Sequence, residues 1–132
     1  QPGLYLLQAE IAAIHIAAPA AAATDWTAVI AGYDALLRLQ PSPVIALNRA
    51  LAIGFRDGPT AGLDLLEQLD HDPRLSSYHL LPAAQADLLR RAGRLEEAAA
   101  AYRKALTLVD TAGERRILQH RLHQVLTDPD AL

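Results

Sequence analysis

The chain has 132 residues, one domain's worth of polypeptide and enough to bury roughly two thirds of its unfolded surface. Its formal net charge of −3 argues against a concentrated basic face that grips a nucleic-acid backbone, so no direct nucleic-acid contact is expected from this segment. With no cysteine, a disulfide framework and a thiolate metal site are excluded, and no stretch of about 20 apolar residues offers a membrane span. Hydrophobic residues make up 52%, much of it alanine, with one Trp, four Tyr and one Phe; that balance favours helices packed through small side chains. No basic-then-apolar leader suggests export, and methionine is absent even at the first position, so the chain reads as a piece of a larger protein.

Breakers divide the sequence into helices. After Pro2-Gly3, Leu4, Leu7, Ile11 and Ile14 recur at 3- and 4-residue spacing, a single helical stripe. A loop around Pro19 leads to Asp25, a candidate N-cap for a second helix that runs from Trp26 through Ile30, Tyr33 and Leu37. Pro41 and Pro43, with Ser42 as a cap, end that helix and start a third, "VIALNRALAIGF". A short fourth helix from Pro59 carries Leu63, Leu66 and Leu69, and "DHDPRLSS" is a polar connection. The fifth, "YHLLPAAQADLLRRA", holds Pro82, which a helix tolerates only in its first turn, where N–H groups lack intrahelical partners. Gly93 closes it. A sixth helix follows in "RLEEAAAAYRKALTL", and a seventh spans Thr111 to Leu126 with Ile117, Leu118, Leu122 and Val125 facing inward. Sustained two-residue alternation is missing throughout, and the expected class is all-α.

Trp26, Thr60 and Leu95 open successive second helices at spacings of 34 and 35 residues, with Tyr33 and Tyr102 at one later position and Glu67 a poor third. Two helices per unit at that period is the tetratricopeptide (TPR) pattern. The best-matched unit has Ala86, Leu89, Gly93, Leu95, Ala98, Tyr102 and Ala105: small residues where helices must approach closely, and a tyrosine filling the gap between them. Ala98→Leu is expected to overpack that crossing by roughly 1–3 kcal/mol. The other units are degenerate, the middle one carrying Gly62-Leu63 where a small residue belongs. The expected architecture is a right-handed, TPR-like helical-hairpin solenoid of about seven helices: units 3–40, 43–70 and 76–110, with a capping helix 111–127.

Several stretches need more than repeat packing to explain them: "LYLLQAEIAAIH", "DWTAVIAGYDALL", "PSPVIALNRALA", "GPTAGLDLL", "YHLLPAAQADLLRRAGR" and "ERRIL". In this order and spacing the chain resembles the C-terminal TPR-like extension of a group of bacterial extracytoplasmic-function (ECF) RNA polymerase sigma factors. The resemblance covers nearly the whole chain, and "DW…YD", "LNRA" and "ADLLRR.GR" carry most of it. Ile117, where an aromatic is expected, and Pro82 at the helix start depart from the pattern. The resemblance implies a non-catalytic regulatory or assembly domain whose partners are the sigma factor's own upstream domains, RNA polymerase or a protein regulator, with promoter DNA read by regions outside these residues. The alternative is a freestanding TPR scaffold that binds peptide segments; small-molecule sensing in the groove is a third reading, which needs an enclosed apolar pocket.

If the first helix of each unit lines a concave face, the groove carries Tyr5, Gln8, Ala12 and His15, then Asn48, Ala52 and Phe55, then Ala83, Asp87, Arg90 and Arg91. Two readings of these polar residues stand side by side: recognition of a partner, or mutual bonding of Asn48, Arg49 and Asp87 that fixes helix register. Asn48 in mid-helix has poor propensity, and a bond to a neighbouring helix or loop backbone is the expected reason for it. Asp34 is expected to pair with a nearby Arg, and Trp26 to plug the core. Catalysis is not expected. His120 and His123 lie three apart but lack a carboxylate to complete a metal site, and no nucleophile or phosphate-cradling loop accompanies His15 or His79. No cofactor is expected.

Overall fold

A computed structural model of the chain describes residues 24–127. Among these residues there are six α-helices and one 3-10 turn: α1 (Trp26–Leu39), α2 (Pro43–Asp57), α3 (Pro59–Leu69), the turn Pro73–Leu75, α4 (Leu80–Arg91), α5 (Leu95–Leu108) and α6 (Ala112–Thr127). They correspond to the second through seventh predicted helices, and no strand occurs among the described residues. The first predicted helix, with Tyr5, Gln8, Ala12 and His15, lies outside the described residues.

The helix boundaries follow from local chemistry. Asp25 Oδ1 accepts from the Ala28 N–H at 3.1 Å and Ser42 Oγ from the Ile45 N–H at 3.4 Å, so each cap meets one of the donors that a helix start leaves free. Pro43 and Pro59 occupy first helical positions, where their missing N–H costs nothing. A single residue, Gly58 at φ +110°, joins α2 to α3, a backbone conformation closed to side chains with a Cβ. Gly93 at φ +78° ends α4: its N–H reaches the Arg90 carbonyl at 3.0 Å and the Arg94 N–H reaches Leu89 at 2.9 Å, the paired bonds of a Schellman cap. Pro82 is the third residue of α4 and is buried, within the one turn that tolerates it. Beyond α5, the Arg115 guanidinium donates to the carbonyls of Val109 (2.9 Å) and Leu106 (3.4 Å), serving acceptors that the helix end leaves open.

Each helix packs on its neighbours in sequence, and α2 also meets α4, an arrangement compatible with stacked hairpins. The core has three apolar clusters. One joins α1 to α2 around Trp26, Tyr33 and Leu36; a second joins α2, α3 and α4 around Leu47, Leu66 and Leu88; a third joins α4, α5 and α6 around Ala98, Tyr102 and Leu118. Phe55 and Leu65 touch the first two and Leu63 the last two, so the apolar interior is continuous. Trp26 is buried and packs on Phe55 with ring centroids 4.8 Å apart, the core role expected of it.

The middle hairpin corrects the sequence register by one residue. Its second helix opens at Pro59, as expected, and the repeat counted from there rather than from Thr60 sets Leu66 and not Glu67 at the place of Tyr33 and Tyr102; Leu66 is buried and Glu67 exposed. Gly62 then falls at the place of Ala98, and it is a point of close helix approach. A Cβ on Gly62 would lie 2.6 Å from Leu88 Cδ1, 2.8 Å from the Ala50 carbonyl oxygen and 2.8 Å from Gly54 Cα. One on Gly54 would lie 2.7 Å from Leu88 Cδ2. The two glycines therefore let α2, α3 and α4 close on one leucine, which is fully buried.

Ile117, expected to face inward, is 53% exposed. The last helix is covered chiefly by α5, so only the stripe of Leu118, Leu122 and Val125 meets the core, and Ile117 falls one residue outside it.

Gly62→Ala should lower the unfolding free energy by about 1–3 kcal/mol despite its better helix propensity, because backbone atoms and a trapped leucine must move. Gly113→Ala, where nothing lies within 4 Å of the added Cβ, should raise it by up to about 1 kcal/mol. Urea unfolding followed by circular dichroism checks both signs; equal effects at the two positions would refute the close-approach account.

Candidate interaction face

The polar residues singled out on the predicted groove divide into those bonded within the fold and those that are not. Arg49 projects from α2 toward α1, where its Nε donates to Asp34 Oδ1 at 2.6 Å, the pairing expected of Asp34. Asp87 on α4 accepts from two other helices. The Tyr102 hydroxyl donates to its Oδ1 at 2.6 Å, and Arg121 Nη1 donates to Oδ2 at 2.9 Å and to Oδ1 at 3.2 Å. One side chain thus ties α4 to both α5 and α6. Arg121 was not among the sequence candidates. Its signal was faint: a basic residue on the partly apolar stripe of a final helix, whose partner sits 34 positions earlier.

The mutual bonding of Asn48, Arg49 and Asp87 does not occur: Arg49 pairs with α1 and Asp87 with α5 and α6. Nor does Asn48 hold a neighbouring backbone. It is half-buried in α2 and its side chain makes no hydrogen bond to any described residue.

Arg90 and Arg91 form the last turn of α4. Arg90 Nη2 comes only within 3.9 Å of Asp87 Oδ1, and its buried Nε has no hydrogen-bond partner. The Arg91 guanidinium carbon stands 4.3 Å above the centre of the Phe55 ring, a cation–π contact that places the end of α4 against the face of α2. Burial, and secondarily the neighbouring Arg90 charge, lower the Arg91 pKa. Ala52 and Ala83, further along the same helices, are buried.

The histidines divide similarly. His79 precedes α4 and its Nε2 lies 2.5 Å from Glu114 Oε2 on α6, not near Asp87 or Asp25. His120 and His123 are exposed on α6, and no group of three or more His, Cys, Asp or Glu that could hold a metal occurs among the described residues. A shallow open depression of about 490 Å³ on α3 is lined by Asp64, Glu67, Gln68 and His71; it is polar, not the enclosed apolar pocket that small-molecule sensing needs. No helix among the described residues is long and apolar enough to cross a membrane.

Burial pushes the phenols of Tyr33 and Tyr102 far above their ordinary value of 10.0, and for Tyr102 the adjacent Asp87 carboxylate adds to the effect.

No family model matches the chain, and no solved structure matches it. Over 129 residues, 98% of its length, it is 40% identical to an uncharacterized protein of Rhizobium meliloti (strain 1021), and it spans 30% of that protein.

Two expectations follow from the buried tyrosines. Because their folded pKa values are raised, the unfolded chain gives up these protons first, and stability should fall as pH rises past about 10. Tyr102→Phe should make that alkaline loss shallower while costing about 1–3 kcal/mol at neutral pH through the lost bond to Asp87. Urea midpoints measured across the alkaline range test both; an unchanged alkaline slope in Tyr102→Phe would refute the linkage.

Proposed function

We propose that this chain is a non-catalytic, protein-contacting domain of an ECF-type RNA polymerase sigma factor. In this reading it is a TPR-like stack of hairpins C-terminal to the regions that bind promoter DNA. It acts in transcription initiation by contacting the sigma factor's own upstream domains, the polymerase or a regulator. Contact with the upstream domains makes it one half of a two-state element whose equilibrium a partner biases.

The observation that carries this reading is the combination of "DW…YD", "LNRA" and "ADLLRR.GR" in order along an all-helical chain. Bonds within the fold explain some of those residues, since Asp25 caps a helix, Asp34 pairs with Arg49 and Gly93 turns the chain. They leave others without an internal bond, Asn48 above all. A half-buried amide in mid-helix that serves no internal bond fits a contact to another molecule better than a role in register. The span of 30% of the Rhizobium protein also accords with a part that works within a longer polypeptide. A cytoplasmic, bacterial setting belongs to the same proposal. The freestanding peptide scaffold differs in having no transcription regions upstream.

Deleting residues 1–132 from the full-length protein should change promoter-directed transcript yield in a reconstituted assay with RNA polymerase, and an unchanged yield would overturn the proposal. Asn48→Ala should leave the melting temperature unchanged or slightly higher, because alanine has the better helix propensity by about 0.5 kcal/mol. The same change should weaken capture of the upstream domains by the isolated chain. A marked drop in melting temperature would return Asn48 to a structural role.

A further inference from the structure

We infer that the end of α4, together with Arg121 of α6 and the Phe55 face of α2, is a docking site for an acidic polypeptide segment. Three guanidiniums, those of Arg90, Arg91 and Arg121, gather there around a single carboxylate, Asp87. That carboxylate is already engaged: Tyr102 holds one oxygen at 2.6 Å and Arg121 holds both, at 2.9 and 3.2 Å. Arg90 stands 3.9 Å from it with its Nε buried and unbonded, and Arg91 rests on Phe55 with no carboxylate of its own among the described residues.

Elsewhere four arginines are paired one to one, while Arg38, Arg103, Lys104, Arg115 and Arg116 make no ion pair among the described residues. Arg49, Arg56, Arg74 and Arg94 each face their own carboxylate, respectively Asp34, Asp57, Asp72 and Glu97. Three guanidiniums around one carboxylate leave the α4–α6 junction two positive charges in excess, on a chain whose net charge is −3. The carbonyl end of α4 favours cations in its last turn, but it accepts no bond from the Arg90 Nε, which remains unpartnered.

Guanidiniums recognise carboxylates through paired, charge-assisted N–H···O bonds, and two neighbouring arginines with unfilled donors match two carboxylates spaced along an extended or helical segment. Beside them lies Phe55 of α2, whose ring carries the Arg91 guanidinium and holds it at the end of α4. An Asp/Glu-rich stretch of polypeptide satisfies this set, with side-chain carboxylates for the arginines. The inference rests on the domain's being a contact module and not on the transcription assignment.

The test is direct binding of the 132-residue chain, followed by fluorescence anisotropy, to three labelled probes: a short peptide of alternating Glu and Ala, its Gln/Ala counterpart, and an oligothymidylate. The Glu peptide should bind, in a manner that weakens as salt is added, and the Gln peptide should not. Arg90→Gln and Arg91→Gln should each weaken Glu-peptide binding about tenfold, whereas Arg103→Gln, an equal change in charge on the exposed side of α5, should change it less than twofold. Absence of Glu-peptide binding, equal affinity for the Gln peptide, tighter binding of the oligothymidylate, or an equal loss in Arg103→Gln would overturn the assignment. The probe comparison uses the unaltered chain, so it stands even where a variant fails to fold. A failed transcription assay with an intact Glu-peptide response would remove the sigma-factor reading and keep this one.

Discussion

The Leu88 side chain sits against a glycine of α2 and a glycine of α3, at distances that leave no space for a methyl group on either. Interiors packed to this density do not deform by small amounts, so the three helices are locked at one separation. The consequence reaches the surface through helix geometry. Successive residues of a helix turn by about 100°, so fixing Leu88 inward directs Asp87 toward α5 and α6 and brings Arg91, one turn on, against Phe55 of α2. The polar contacts of α4 are thus set by an apolar contact of the same helix.

The second organising contact is the Asp87 carboxylate, which joins α4 to Tyr102 of α5 and Arg121 of α6. A largely buried carboxylate needs partners that supply hydrogen bonds as well as opposite charge, and Tyr102 and Arg121 supply both. Having met that need with two partners, Asp87 leaves the adjoining Arg90 and Arg91 without an anion of their own. A junction required for stability therefore creates, as a by-product, a cationic surface with open donors. This is a physical basis for a contact domain: the same residues that hold the last hairpin to the final helix leave charge facing outward.

Such an arrangement couples binding to packing. An anion arriving at Arg90 and Arg91 competes with Asp87 for the same guanidinium field, and Asp87 in turn holds the α4–α5–α6 junction. In the proposed reading, a partner at this face would bias the α4–α5–α6 junction toward one of two arrangements.

Much of this was legible in the sequence because it depends on local chemistry. Asp25, Ser42, Pro43, Pro59 and Gly93 mark helix ends through hydrogen bonds or backbone angles that neighbours cannot easily override. Trp26, Tyr33, Ala98 and Tyr102 fall on buried stripes by periodicity alone. The middle hairpin was misread by one residue because its close contact uses glycine, which gives no hydrophobic signal, while the neighbouring Leu63 does. Ile117 misled for the opposite reason: it continues an apolar stripe whose last column has no helix to cover it.

The polar face was beyond sequence reasoning for a different cause. Whether Asn48 bonds a backbone, whether Arg49 turns toward Asp34 or Asp87, and which cation reaches Asp87 are matters of distance between helices far apart in the chain. The sequence by itself determined the helices, their caps and the small residues that admit close approach, since these are decided within a few residues of one another. Only the tertiary structure decided which charges meet and which are left over, because a carboxylate is filled by whichever donors packing brings within about 3 Å, and sequence neighbours do not set that distance.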